Sequence, residues 1–322
     1  MHILVIGLGS MGKRRMRIIK ELYPEFQIAG VDNRDDRRKE VEKSFNIMTY
    51  KSLADISEKI DCAFICSSPL SHSELITECL NRNYHVFTEL NLVSDAYEQN
   101  MELAEQKKCI LFLSSTFLYR EEIRYIRSKI IKNKRWNYIY HVGQYLPSWH
   151  PWEKINDFFI GNKRTNGCRE ILAIELPWLI STFGSIKNLR VLSDKMTSLG
   201  IDFDDNYLIE VQHKNGNRGL LMVDVVTPVA VRKFEAYAEN AYISWNGTPN
   251  SIKEFDQEKQ KLEDVTLTEY AEHIPGYSAF IVENAYKNEI RAFFEVIAEH
   301  KEPIYGFKED LDTLNLIDSI GA

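Results

Sequence analysis

The sequence predicts an α/β protein in two parts, a doubly wound parallel sheet followed by an α+β domain with an open, mainly antiparallel sheet. Through the first third of the 322 residues, short apolar strands alternate with helices, which is typical of a parallel sheet covered on both faces. From about Trp136 onward, longer segments of alternating polarity take over, and turns such as Asn246-Gly247 are typical of antiparallel hairpins. We therefore expect one domain over residues 1–120 and a second over residues 121–322.

Strands and helices are expected to alternate through the first domain. After a first strand and helix, we predict strands at residues 26–31, 62–66, 85–88 and 110–114, and helices at residues 37–45, 53–59, 72–82, 94–107 and 121–132. In the second domain we predict strands at residues 136–146, 187–192, 207–213, 219–226, 233–238 and 241–245, and helices at residues 171–183 and 279–300. The highly charged segment 251–264 is interpreted as a solvated excursion.

A glycine-spaced turn follows the first strand directly, as Gly7-Leu8-Gly9-Ser10-Met11-Gly12. In this spacing the first glycine permits a tight turn, the second lets the backbone approach phosphates, and the third lets the next helix pack closely. The helix N-terminus then offers N–H groups and a positive dipole end to an anion. Asp32 ends the second strand about twenty residues later, where a carboxylate meets ribose hydroxyls. The sequence therefore predicts a Rossmann dinucleotide site.

The preferred dinucleotide is NAD, with NADP left open. Asp32 repels a 2′-phosphate, and Asn33 and Arg34 follow it as further cofactor contacts. Arg37 and Arg38 come next, and a guanidinium is the usual partner of that phosphate. The alternative is that these arginines belong to a solvated first helical turn, paired with neighbouring acids.

Composition excludes several other classes of function. The net charge is −7 and no basic stripe emerges, so nucleic acid is not an expected partner. No apolar run approaches the ~20 residues that cross a bilayer, and the start does not resemble a signal peptide. The five cysteines are scattered and do not complete a metal site. We expect a cytoplasmic protein without a metal or a membrane partner.

Three segments resemble the Gfo/Idh/MocA family of oxidoreductases, named for glucose–fructose oxidoreductase, inositol dehydrogenase and the rhizopine catabolism protein. Ile65–His72 resembles the family's Thr-Pro-x-x-x-His segment, and His85–Glu89 resembles the strand that leads to its Glu-Lys-Pro signature. Gly143–Pro151 resembles members that act on sugars in surface-polysaccharide pathways. The resemblance implies a sugar substrate and a homodimer or homotetramer built on the open sheet. It also implies cofactor contacts at Ser67, Ser68, Pro69, His72 and Glu89.

The chain departs from the family at both expected proton carriers. The signature lysine is Leu90 and the following proline is Asn91, and a leucine can neither donate nor accept a proton. In the second-domain helix, Ile174 stands where the resemblance implies a histidine, and Glu170 could occupy the acidic position four residues earlier. The Glu-Lys-Pro motif is therefore degenerate.

Replacement candidates lie around an aromatic loop. His150 is the first choice for the acid/base, with Glu153 or Glu170 setting its tautomer, and Tyr145 is the second. Trp149 and Trp152 would stack on a sugar; the alternative is a loop packed for structure alone.

Three charged residues nearby are candidate substrate contacts. Lys163 and Arg164, with Arg169, would meet a phosphate or carboxylate of the substrate, or else form a solvated loop. Glu175 is included as a substrate contact, although a structural hydrogen-bond partner is the favoured interpretation.

These observations predict an NAD-dependent oxidoreductase that transfers a hydride to or from a CH–OH group of a sugar derivative, such as a sugar nucleotide or an acidic sugar. Three alternatives stay open. One is a dinucleotide-binding sensor or partner protein that has lost catalysis, favoured by Leu90 and Ile174. Another is an enzyme that holds NAD tightly, of the epimerase, lyase or glycosidase type. The last is a reductase of a non-sugar such as a tetrapyrrole.

Overall fold

A computed structural model describes residues 1–130, 134–149, 154–155, 158–267, 271–272, 274, 278–299 and 301–322. The chain forms two compact units. The first unit comprises residues 1–115 and 286–312, and the second unit comprises residues 116–285 and 313–322. The return of residues 286–312 to the first unit departs from the single boundary predicted at residue 120.

The first unit contains a six-stranded parallel sheet. Its strands are β1 (His2–Ile6), β2 (Gln27–Val31), β3 (Met48–Tyr50), β4 (Cys62–Ile65), β5 (His85–Thr88) and β6 (Leu111–Leu113), in the order β3-β2-β1-β4-β5-β6. The strand order reverses between β1 and β4, and ligands of such sheets bind at the carboxyl ends beside this point. The short edge strand β3 was not predicted.

Four helices of the first unit join these strands, namely α1 (Ser10–Leu22), α2 (Asp35–Phe45), α3 (His72–Asn81) and α4 (Tyr97–Lys107). The helix predicted at residues 53–59 is wrong. Only one 3-10 turn forms there, at Leu53–Asp55, because Ser52 and Asp55 cap each other and Ile56 is already extended. Phe293 packs edge-on against Phe64, Phe87 and Phe112 of the sheet, at ring-centre distances of 5.3–5.5 Å.

The second unit contains an eight-stranded mixed sheet. Its strands are β7 (Asn137–Gly143), β8 (Ile186–Asp194), β9 (Asn206–His213), β10 (Arg218–Asp224), β11 (Val231–Ala238), β12 (Ala241–Trp245), β13 (Ile252–Asp256) and β14 (Lys261–Val265). The order is β14-β13-β12-β11-β7-β10-β9-β8, and only the pair β7–β10 is parallel. The prediction of an open, mainly antiparallel sheet is confirmed.

The helices of the remaining chain are α5 (Glu121–Lys129), α6 (Gly167–Phe183), α7 (Glu283–Glu299) and α8 (Phe307–Ile320). The chain passes from the second unit to the first within α7 and back within α8, which was not predicted. In the second unit, Trp178 of α6 meets Tyr140 and Phe234 of the sheet at ring-centre distances of 5.4 and 5.3 Å. In the described part of the chain, every helix is too short or too polar to cross a lipid bilayer.

The solvated excursion predicted at residues 251–264 is wrong, because this segment forms the hairpin β13–β14. Lys253 lies opposite Asp264, with 3.2 Å between the ammonium nitrogen and a carboxylate oxygen. Opposite charges on facing strands stabilise such pairing even where few side chains are apolar. The high charge therefore marks an exposed hairpin.

Candidate dinucleotide site

The turn between β1 and α1 requires glycine at two of its three glycine positions. Gly7 has φ +91° and donates its N–H to the Val31 carbonyl at 2.8 Å. A Cβ on Gly7 would lie 2.7 Å from backbone atoms of Cys66 and Ser67, and one on Gly12 would lie 2.0 Å from the Gly7 carbonyl oxygen. Gly7 and Gly12 therefore allow β1, β4 and α1 to approach one another.

The fold does not require glycine at the remaining position, Gly9. Its φ is −73°, and an added Cβ would make only ordinary contact, 3.7 Å from Nη1 of Arg37. Among the described residues, no side chain caps α1, so the N–H groups of its first turn remain open to an anion. A Cβ at Gly9 would fill space that a pyrophosphate needs when it approaches the backbone. The residues present therefore fit a dinucleotide, with exposed Ser10 and partly exposed Met11 beginning the helix.

Asp32 lies at the carboxyl end of β2 and is almost fully buried. Its Oδ2 accepts a hydrogen bond from the Leu8 N–H at 2.8 Å, and its Oδ1 accepts one from the Arg34 N–H at 2.9 Å. Nη1 of Arg37 lies 3.5 Å from Oδ2. Asn33 and Arg34 are exposed beside it. The structure thus brings Asp32 and the glycine turn together, as the spacing predicted.

The carboxyl ends of β4 and β5 are held together by His72, which is buried. Its Nε2 lies 3.0 Å from the Ser67 carbonyl oxygen, and its Nδ1 lies 2.6 Å from the side-chain oxygen of Asn91. Burial lowers the pKa of His72. Asn91 therefore contributes to this contact. Ser67 and exposed Ser68 begin the turn, and buried Pro69 begins a one-turn 3-10 helix.

Glu89 follows β5 and is bound by Arg15, a residue that the sequence analysis did not select. Nε and Nη2 of Arg15 donate to the two carboxylate oxygens of Glu89 at 2.6 and 3.0 Å. The same Nη2 donates to Glu289 at 2.8 Å and to the Ser114 hydroxyl at 3.1 Å. Burial alone would lower the pKa of Arg15, but the two carboxylates raise it, so the guanidinium stays charged. No local pattern could reveal a contact between residues 15 and 289.

Glu175 of the second unit has no free oxygen for a substrate. The side chain is fully buried; Oε1 accepts from Nη2 of Arg232 at 2.5 Å, and Oε2 accepts from Tyr140 and Trp178 at 2.7 and 2.6 Å. Its assignment as a substrate contact is therefore corrected to a structural role. The alternative of a hydrogen-bond partner is the one that the geometry favours.

Glu170 lies in the first turn of α6, which Asn166 caps by accepting from the Arg169 N–H at 2.9 Å. Part of the Glu170 side chain is exposed, but Oε2 is buried and has no hydrogen-bond partner among the described residues. Burial raises the pKa of Glu170 to about 7. Ile174, one turn later, is also partly exposed. Glu170 and Ile174, four residues apart on one face of α6, therefore carry one carboxyl group and one hydrocarbon side chain.

The remaining second-unit candidates have varied surroundings. Tyr145 is half-buried, and Trp149 donates its indole N–H to the Gln144 carbonyl at 3.0 Å. Lys163 and Arg164 are exposed on a 3-10 turn just before α6. His150, Trp152 and Glu153 lie outside the described residues. Within the described part of the chain, no group of His, Cys, Asp or Glu side chains could hold a metal ion.

Two curated relatives can be aligned with 40% or less of the length of this chain. Human biliverdin reductase A is 29% identical over 133 residues, which cover 40% of this chain and 44% of that protein. Myo-inositol 2-dehydrogenase of Thermotoga maritima is 31% identical over 120 residues, which cover 36% of each chain. This chain is therefore matched over less than half the length of either relative.

A solved structure resembles the whole fold. UDP-N-acetylglucosamine 3-dehydrogenase from Acidithiobacillus ferrooxidans gives a TM-score of 0.78 at 16% identity, covering 100% of this chain and 96% of that one. At this identity the likeness shows a shared fold. The family model described as "Oxidoreductase family, NAD-binding Rossmann fold" matches residues 1–115. Over these residues the chain is similar to the Gfo/Idh/MocA oxidoreductase family.

Proposed function

We propose that this protein is an NAD(P)-dependent oxidoreductase acting on a CH–OH group of a sugar derivative. The observation that carries the proposal is Gly9, a glycine that the fold does not need but a bound pyrophosphate does. When bound, the nicotinamide dinucleotide supplies or accepts the hydride. The first turn of α1 holds the pyrophosphate, and the turn at 67–69 contributes to the rest of the cofactor site.

The first experiment measures dinucleotide binding by the fluorescence of NADH and NADPH. Gly9→Ala is expected to fold like the wild type and to bind at least tenfold more weakly, because its methyl group keeps the phosphates from the backbone. Gly200→Ala is the matched control, since a Cβ there meets nothing within 4 Å. Equal dinucleotide affinity in the wild type, Gly9→Ala and Gly200→Ala would contradict the proposal.

Glu170 is the proton carrier that the proposal assigns among the described residues. A general acid/base works best when its pKa lies near the working pH, and burial brings this carboxyl group to about 7. Its Oε2 has no hydrogen-bond partner among the described residues. His150 and Tyr145 remain candidates from the sequence. Replacing each in turn, with dinucleotide affinity measured alongside turnover, separates a proton carrier from a binding residue.

The proposed substrate is a sugar nucleotide or an acidic sugar. The fold shared with a UDP-N-acetylglucosamine 3-dehydrogenase supports the first class. Exposed Lys163 and Arg164 lie just before α6 and supply the positive charge that either class needs. The substrate class is tested with a panel of sugar nucleotides, uronic acids and neutral sugars. Turnover of each compound is measured with either dinucleotide from the absorbance of its reduced form at 340 nm. Turnover of neutral sugars alone would contradict it.

A second candidate is reduction of a tetrapyrrole. It is favoured by the 29% identity to biliverdin reductase A over 133 residues, together with Leu90 in place of the family lysine. Adding biliverdin to the same panel distinguishes the two substrate classes. Tight NADH binding without turnover of any compound would instead favour the sensor.

We propose that the protein works in the cytoplasm as a homodimer. All five cysteines are free, which suits a reducing compartment. One face of the second-unit sheet exposes Leu192, Leu208, Leu220 and Ile139, with Leu192 opposite Leu208 and Leu220 opposite Ile139. Adjacent exposed leucines form an apolar patch of the kind that a second copy covers.

A further inference from the structure

The chain contains three Asn-Gly pairs, at Asn166-Gly167, Asn215-Gly216 and Asn246-Gly247. In such a pair the backbone nitrogen of the glycine can attack the asparagine side chain, because no Cβ on the glycine shields that nitrogen. Three atoms take part: the glycine nitrogen attacks Cγ, Oδ1 gains negative charge, and Nδ2 leaves as ammonia. The surroundings of these three atoms differ among the three pairs.

Two of the pairs have reacting atoms that are held by hydrogen bonds. Asn166 is buried, and its Nδ2 donates to a backbone carbonyl oxygen at 3.0 Å. Asn215 is exposed, but its Nδ2 donates to the Phe183 carbonyl oxygen at 2.7 Å. The N–H of Gly216 donates to the His213 carbonyl oxygen at 3.1 Å. The leaving nitrogen is therefore engaged in both pairs, and the attacking nitrogen is engaged in the second.

Asn246, exposed on the turn between β12 and β13, differs at all three atoms. Its Oδ1 accepts from the Thr248 N–H at 3.0 Å and from the Thr248 hydroxyl at 2.6 Å. Among the described residues, neither Nδ2 of Asn246 nor the Gly247 N–H has a hydrogen-bond partner. The Oδ1 hydrogen bond to the Thr248 N–H closes a ring that contains both Cγ and the Gly247 nitrogen, so the reacting atoms share one short turn. Two donors on Oδ1 stabilise the negative charge that it gains.

We propose that Asn246 is a site of spontaneous deamidation, the one of the three Asn-Gly pairs that reacts in the folded protein. The Gly247 nitrogen gives its proton to water or hydroxide and forms a bond to Cγ of Asn246, and the Cγ–Nδ2 bond breaks to release ammonia. Water then opens the succinimide ring at either carbonyl group, which leaves an aspartate or an isoaspartate at position 246. Water is the only co-reactant, so the reaction is independent of dinucleotide binding.

The modification loosens a buried contact of the second unit. Arg120 is buried, and its Nη2 donates to the Gly247 carbonyl oxygen at 3.0 Å, while its Nη1 donates to the Phe280 carbonyl oxygen at 3.0 Å. Isoaspartate adds one methylene to the main chain directly before Gly247, which moves this carbonyl relative to the guanidinium. A buried donor that loses its acceptor destabilises the folded state. Protein that carries isoaspartate is therefore expected to unfold at a lower temperature than fresh protein.

Peptide mapping by mass spectrometry tests the proposal on the folded wild-type protein, incubated in mildly alkaline buffer. Each peptide with an Asn-Gly pair is followed for the mass gain that replacement of NH2 by OH causes, and electron-transfer fragmentation distinguishes isoaspartate from aspartate. We expect Asn246 to convert about tenfold or more faster than Asn166 and Asn215, and faster as the pH rises, because the deprotonated nitrogen attacks. In urea the three rates should become similar, because the contacts that separate them are lost.

Thr248→Val removes the hydroxyl donor to Oδ1 and keeps the N–H donor, so it should slow conversion by about three- to tenfold. Thr248→Ser is the matched control, because it restores a hydroxyl and should react like the wild type. Asn246→Gln should keep its initial unfolding temperature throughout the incubation, while that of the wild type falls. The proposal is overturned if Asn246 stays intact in the folded protein, if Asn215 converts equally fast there, or if Thr248→Val reacts at the wild-type rate.

Discussion

Arg15 binds Glu89 through two parallel hydrogen bonds and binds Glu289 with the same Nη2. Glu89 directly follows β5, and this pairing gives it a structural task. The guanidinium also lies 4.6 Å from the ring centre of Phe87. The buried cation therefore joins α1, the end of β5 and α7 within the first unit.

Arg15→Met should reduce the free energy of unfolding by about 3–5 kcal/mol, because it leaves buried carboxylates without their partner. Urea denaturation followed by circular dichroism measures the loss. Lys13→Met is the control, since Lys13 pairs with Glu40 at the surface, where an ion pair contributes about 0–1 kcal/mol. Equal losses in the two variants would show that the Arg15 network adds nothing beyond a surface pair.

Gly7→Ala should destabilise the protein by more than about 1–2 kcal/mol, the cost of the left-handed backbone alone. The additional cost comes from the close approach of Cys66 and Ser67. Thermal unfolding measures the effect, with Gly9→Ala as the matched variant, because its backbone is already extended and its Cβ has room. A Gly7→Ala protein that melts with the wild type would contradict the geometry of this turn.

Glu170→Gln should change the pH dependence of both stability and turnover. The folded pKa of about 7 lies above the usual 4.5, so the folded state binds the proton more tightly. Stability from this group is complete below about pH 4.5 and is lost as the pH rises through about 7. Denaturation midpoints at several pH values should show this fall in the wild type and not in Glu170→Gln.

In turnover, the limb of the pH–rate profile near 7 should disappear in the same variant, with dinucleotide affinity unchanged. Glu258→Gln is the control, because this carboxylate is exposed on the turn between β13 and β14. A limb near pH 7 that persists in Glu170→Gln would assign the proton to another group.

Leu220→Glu should convert a dimer into a monomer without unfolding it. Leu220 is 51% exposed at the centre of the leucine-rich sheet face. A glutamate there would therefore stay in water in a monomer and would be buried only if a second copy covers this face. Light scattering after size-exclusion chromatography measures the mass. Leu262→Glu, on the edge strand β14 and similarly exposed, is the control and should leave the mass unchanged. A wild-type protein with the mass of a monomer would contradict the proposed dimer.

Local patterns were sufficient for most of the fold. The strand–turn–helix at residues 2–22 and the strands 207–213 and 241–245 follow from periodicity and turn residues, which act between neighbours in sequence. At residues 251–264 the prediction was wrong because it relied on charge composition. The hairpin β13–β14 looked like a charged loop because its stability comes from cross-strand pairs.

The sequence by itself determined the parallel sheet, the glycine turn and the position of Asp32, since each depends on residue identity at a fixed spacing. The tertiary structure alone decided that Arg15 binds both Glu89 and Glu289. It also decided that Glu175 accepts hydrogen bonds from Arg232, Tyr140 and Trp178, and that Arg37 lies 3.5 Å from Asp32. The physical reason is that burial and charge neutralisation are set by partners that folding brings together, and sequence spacing does not encode them.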